Sequence, residues 1–184
     1  MLAPPRSLQL LLRCLDSISS AIGHVVHWLT LALVFVTCVV VVMRYAFSTG
    51  SIALQESMMY LHAAIFMLGM AWTLRKGGHV RVDVFYRDAS PQARAWIDVA
   101  GGLLFLLPLC VLIFWMSWEY VVNSWLIREK SSAGSGLPYI YLLKTLLLVM
   151  PATLLLQGVA ETLRNLLLAL GFDIALDHSR QESI

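Results

Sequence analysis

The chain has 184 residues, of which 59% are hydrophobic and 13% charged, and its net charge is +2. Soluble domains run to about half apolar and about a quarter charged, so this composition excludes a soluble globule, and intrinsic disorder, which needs low hydrophobicity, is excluded with it. The weak net charge excludes the basic footprint of a nucleic-acid binder. What remains is a small polytopic all-α membrane protein.

Residues 1–21 open the chain. Leu8, Leu11, Leu12, Leu15 and Ile18 recur at helical spacing. They predict one apolar face of an amphipathic helix lying on the membrane, with a frayed terminus as the alternative. A signal peptide is not expected, because the Leu8–Leu12 core is short and is followed by Arg13 and Asp16.

Residues 22–165 form a four-span membrane domain, since each of four apolar stretches has the roughly 20 residues that a crossing helix needs. Span one is 22–43 and carries no Asp, Glu, Lys or Arg. Span two is 52–74, with Gln55 and Glu56 near its start. Arg75 and Lys76 follow, suiting the negative end of the helix dipole, and Gly77-Gly78 stops the helix by taking the left-handed conformation freely. From His79 to Val84 polar and apolar residues alternate, which predicts a short extended segment.

Ser90-Pro91 reads as a helix opening, with Ser as the cap and Pro at the first helical position. A straight helix from there to Ile127 would be far longer than a hydrocarbon core of about 30 Å. Residues 91–98 are therefore expected along the interface. Gly101-Gly102 would turn the chain into the membrane, and Pro108 would kink the span (99–127) further on. The loop that follows, Arg128–Pro138, contains a Ser-Ser-Ala-Gly-Ser-Gly run that is flexible in composition. Span four is 139–160, and residues 166–184 form a tail.

The basic residues set an orientation. Arg6, Arg13, Arg75, Lys76, Arg81, Arg87, Arg94, Arg164 and Arg180 fall on one side, and Arg44, Arg128, Lys130 and Lys144 on the other. The positive-inside rule then puts both termini in the cytoplasm. Trp115, Trp118, Tyr120, Trp125, Tyr139 and Tyr141 crowd toward the outer interface as an aromatic belt, a binding role being the lesser alternative.

Charges inside a bilayer are candidates for function. Glu56, Glu119 and Lys144 lie at similar depth on the outer side. A Glu119–Lys144 or Glu56–Lys144 ion pair is expected, or else snorkelling of Lys144 to the interface. No carboxylate stands near the midplane and no inverted repeat of broken helices is visible, so a transport path of its own has little to stand on. There is no metal-ligand spacing, no catalytic triad motif and no phosphate loop, and the chain is expected to be no enzyme and to carry no cofactor. Cys14, Cys38 and Cys110 read as small buried hydrophobes.

The run Leu74-Arg75-Lys76-Gly77-Gly78-His79-Val80-Arg81-Val82-Asp83, with 20 residues between Glu56 and Gly77, resembles the small membrane subunit of tripartite ATP-independent periplasmic (TRAP) transporters, the DctQ-type family. Gln55 stands where that family has a first Glu. Ser135 to Lys144 resembles the opening of span four in one branch, and the likeness covers roughly residues 22–165. It implies a bacterial inner-membrane subunit that packs as a scaffold against a large many-span subunit. That partner carries the solute on a sodium gradient, and the small subunit helps to dock the periplasmic solute-binding protein. It also implies partner or lipid contacts at Glu56, Arg75, Gly77, Gly78, His79, Arg81 and Asp83. The alternative from another class is a haem-bearing four-helix electron-transfer subunit, using His24, His27 or His62. A third reading, a self-sufficient small transporter, would need Glu56 as its essential charge.

Overall fold

The computed structural model describes residues 5–79, 86 and 89–172. Among them are helices α1 (Arg6–Ala46), α2 (Ile52–Arg75), α3 (Pro91–Gly101), α4 (Leu107–Leu126) and α5 (Ile140–Ala169), with a π-helical segment at Gly102–Leu106 joining α3 to α4. Four helical stretches are long and apolar enough to cross a membrane, α3 to α4 counting as one. The fold is an all-α membrane protein.

The first helix is longer than the sequence pattern suggests. No break separates residues 6–21 from span one, and α1 runs for 41 residues, about 60 Å. Its leucine face lies on protein, not on lipid alone: Leu12 packs with Ala160 and Leu167 of α5, and Leu8, Leu15, Leu163 and Phe172 close round them. Leu11 and Ile18, assigned to the same face, stay exposed. Span four likewise continues beyond Ala160, so that part of the expected tail is helix.

Two glycines end helices in the same way. Gly77 takes φ +67° and Gly171 φ +82°. Gly77 N–H donates to Leu74 O and Gly78 N–H to Thr73 O, and the same pair of bonds links Gly171 to Leu168 and Phe172 to Leu167. Both are Schellman caps, which satisfy the last carbonyls and need a residue free to adopt positive φ. In the second, Phe172, just beyond the cap, packs on the cluster that contains Leu167.

The third span opens as expected, with Ser90 Oγ accepting from Ala93 N–H at 3.3 Å and Pro91 in the first turn. The expected turn at Gly101-Gly102 is absent. Both residues keep right-handed helical dihedrals, and the irregularity is the π segment, where Leu107 N–H donates to Gly102 O. Pro108 supplies the reason: it has no N–H to donate back to Leu104, and its ring crowds that carbonyl. One wider turn just before it removes that conflict. Gly102 is needed for another purpose, because a Cβ there would lie 3.4 Å from Thr162 Cβ and closer still to its hydroxyl.

The helices form an open row. α1 packs on α2, α2 on α5, and α5 on α4. α3 also packs on α5, and α1 reaches α5 through its N-terminal turns. Among the described residues no contact joins α4 to α1 or to α2. A closed four-helix bundle would bury one stripe of every helix around a shared core. Here the most apolar stretch of α1 has no buried residue at all.

Candidate functional site

The polar side chains gather at the two ends of this row. At the end where α1 begins and α5 finishes, Asp16 is central. Arg164 Nη2 donates to Asp16 Oδ2 at 2.6 Å, and Arg75 Nε stands 3.6 Å from Asp16 Oδ1. Arg164 Nη1 also donates to Glu161 Oε1 at 2.8 Å. Gln157, fully buried, donates through Nε2 to Asp16 Oδ1 and Glu161 Oε1, and accepts from the buried Ser19 hydroxyl at 2.6 Å. Two carboxylates thus meet two guanidiniums across three helices. Such a network is stable only when every member is partnered, because the surroundings are poor in water.

At the other end, Glu56 clasps the loop between α4 and α5. Its Oε1 accepts from the Ser131 hydroxyl, and its Oε2 from the Leu137 N–H at 2.6 Å. Ser131 N–H in turn donates to Leu137 O, which closes the loop on itself. The loop needs glycine at its turn: a Cβ on Gly136 would stand 2.5 Å from Glu56 Oε1 and 2.6 Å from Ser131 Cβ. Glu56→Ala should therefore leave the secondary structure intact and unlatch the loop. The loss of two hydrogen bonds to a carboxylate costs about 2–4 kcal/mol of local stability. Hydrogen exchange at the Leu137 amide reads this directly, and unchanged protection in Glu56→Ala would contradict the clasp.

Lys144 does not meet Glu119 or Glu56. Its Nζ lies 2.5 Å from Glu129 Oε2 and 3.9 Å from the centroid of the Tyr120 ring. The Lys144 ammonium holds the Glu129 carboxyl below the usual carboxylate range. The expected pairing fails because of helix facing: Tyr120, one residue on from Glu119, brings its ring to the Lys144 ammonium of α5, and Glu119 lies a further 100° round α4 from that contact. The aromatic belt has structure of its own. Trp125 Nε1 donates to Thr145 Oγ1 at 2.8 Å, and its ring meets Tyr141 edge-on at 4.7 Å.

Of the other motif residues, Arg75 belongs to the Asp16 network, Gly77 and Gly78 form the cap of α2, and His79 is exposed just after it. Arg81, Asp83 and the extended segment expected up to Val84 lie outside the described residues, the segment from position 80 onward. Asp16, Ser19, Gln157, Glu161 and Arg164 were not singled out from the sequence as a group. Their spacing was a usable signal, since 157, 161 and 164 fall on one face of a helix and 16 and 19 on one face of another. Cys110 is buried as expected, whereas Cys14 and Cys38 are exposed.

The histidines do not favour a haem. A Cβ on Gly23 would touch Trp72, and one on Gly69 would touch Val26, so residue 23 of α1 faces 72 of α2 and 26 faces 69. In that antiparallel register His62 lies opposite residue 33, about 9 Å along the axis from His27 and farther from His24. His27 is engaged locally, with Nδ1 on Gly23 O at 2.6 Å and its ring edge-on to Trp72 at 5.3 Å. Axial ligation needs two imidazoles facing each other at one depth.

In comparison with known families, the model described as tripartite ATP-independent periplasmic transporters, DctQ component, matches residues 33–168. No curated protein and no solved structure matches the chain.

Proposed function

The chain belongs to the DctQ component family of tripartite ATP-independent periplasmic transporters, and from that premise we propose that it is the scaffold half of a two-part membrane permease. In this reading it is a multi-pass inner-membrane protein with both termini in the cytoplasm. It packs against the large many-span subunit and helps to dock the periplasmic solute-binding protein, and transport through the large subunit runs on an ion gradient, sodium being the expected ion.

The observation that carries the reading is the open row α1–α2–α5–α4. A path for a polar solute needs polar groups at mid-depth enclosed by helices. In this row the Asp16 network and the Glu56 clasp stand at opposite ends, each consumed in fixing helices or a loop. The span between them offers mainly apolar side chains to its surroundings. Such a plate suits a body that stays still while a partner moves against it. The clasped loop, held at one angle by Glu56, offers a rigid feature on the face assigned to the periplasm.

Co-expression of the tagged chain with the large subunit of its own transporter, followed by purification in mild detergent, tests the reading. The large subunit should co-purify in stoichiometric amount, and a reporter fused after Ile184 should register as cytoplasmic. A chain that purifies alone, or a tail reporter that registers outside, overturns the corresponding part.

A further inference from the structure

Five carboxylates fall within the described helices: Asp16, Glu56, Asp98, Glu119 and Glu161. Asp16, Glu56 and Glu161 are held as described above, and Asp98 accepts from the Tyr86 hydroxyl at 2.8 Å. Glu119 has neither a hydrogen bond nor an ion pair among the described residues. It lies about two turns, ~10 Å, from the end of α4 at Leu126.

The position of Glu119 round its helix is equally distinctive. α4 buries Cys110, Val121 and Ser124, the face turned to α5. At 100° per residue Glu119 lies on the opposite face, in line with Leu112, Trp115, Met116 and Leu126. Trp115 is 79% exposed, Met116 71% and Leu126 77%. Phe114, Trp115, Met116, Trp118 and Glu119 together line a shallow groove. An acid thus sits in the middle of a wide apolar stripe, edged by indoles, on the last helix of the row. The opposite margin differs. The outward residues of α1, among them Leu31, Val34 and Phe35, are also exposed, but no Asp, Glu, Lys or Arg occurs from residue 22 to 43.

A carboxylate on a spanning helix turns to a bundle interior, a watery cavity or a partner cation, because acyl chains cannot solvate it. Among the described residues no further helix packs on this face of α4 to supply that partner. A second copy fits poorly: two α4 faces related by a two-fold axis would place Glu119 against Glu119, and like charges repel. We propose that the α4 margin is covered by a transmembrane helix of the large subunit that presents a Lys or Arg to Glu119, with Trp115 and Trp118 flanking the cation, and that the α1 margin faces lipid. This rests on the subunit reading above and names the face and the chemistry it uses. Indole faces attract ammonium and guanidinium groups, so the groove has a built preference for such a side chain.

The test uses the complete transporter in its own membrane. A photo-crosslinking residue, p-benzoylphenylalanine, is placed at Met116 or, separately, at Phe35. Adducts to the large subunit are expected from 116 and not from 35, and the captured segment should contain a Lys or Arg within one turn. Glu119→Lys should lower the large subunit recovered per small subunit by roughly tenfold, since it sets two cations together, while Phe35→Leu leaves recovery unchanged. Adducts from 116 to lipid alone or to a second copy of this chain overturn the proposal. So do equal adducts from position 35, a captured segment without a cation, or full recovery in Glu119→Lys. If the unmodified chain fails to bring down the large subunit at all, the subunit reading fails first. If it does and position 116 stays silent toward that subunit, only the assignment of this face falls.

Discussion

Asp16→Ala should detach the start of α1 from α5 and lower the stability of the purified protein by about 2–3 kcal/mol. The side chain is 19% exposed and its partner Arg164 14% exposed, so the figure sits below the range for fully buried pairs. The loss is large because one substitution takes an acceptor from two cations and from a buried amide at once. Arg164 would keep Glu161 as a partner, but Arg75 would lose its contact with Asp16, and Gln157 would lose one of its two acceptors in a fully buried position. Glu161→Ala removes one acceptor and leaves the Asp16–Arg164 pair, so it should cost less. Two measurements check this. Thermal unfolding in detergent should rank wild type above Glu161→Ala above Asp16→Ala, and limited proteolysis should cut Asp16→Ala near Arg13, which is intact and helical in the wild type. Equal stability of Asp16→Ala and wild type would mean that the leucine cluster of Leu12, Ala160 and Leu167 holds α1 unaided.

The sequence announced the apolar spans because bilayer thickness imposes length and composition directly on each one. The same holds for the caps at Ser90 and Gly77, where one residue type meets one local requirement. What it did not announce depends on which residues face each other across helices. The leucines at 8, 12 and 15 have the same spacing whether they face lipid or another helix, so the N-terminal half of α1 read as interfacial when it packs on α5. Glu119 and Tyr120 are adjacent in the chain, and only the rotation of α4 decides that the tyrosine meets Lys144. Glu56 was marked by its place in the family motif. Its clasp on Ser131 and Leu137 joins residues more than seventy positions apart and has no local signature. The π segment was half legible: Pro108 predicted an irregularity, but the response was a wider turn before it, with Gly102 reserved for Thr162.

Gly23→Ala should destabilise the protein, although alanine in place of glycine inside a helix ordinarily gains about 0.5–1 kcal/mol. The reason for the reversal is the close approach of α1 and α2. A Cβ on Gly23 would stand 2.7 Å from Trp72 Cγ and nearer still to two other indole atoms. All three atoms belong to the five-membered part of the indole, which moves only with a change of rotamer, and the ring is held edge-on by His27. Either Trp72 leaves its site or the helices separate, and overpacking of this kind costs about 1–3 kcal/mol. The strain has a single source, so it can be removed in a second step. In a Trp72→Leu background the added methyl meets a smaller and more flexible side chain, and Gly23→Ala should become neutral or favourable. A double-mutant cycle followed by thermal unfolding therefore expects a coupling of opposite sign to the single effect. Additive effects would place the penalty in the helix backbone and not in the contact with Trp72. The same substitution at Gly69, where a Cβ would make only ordinary contact with Val26 at 4.0 Å, should be stabilising by the usual helix term. Close packing of α1 on α2 then depends on Gly23, and Gly69 on the facing helix borders the contact without limiting it.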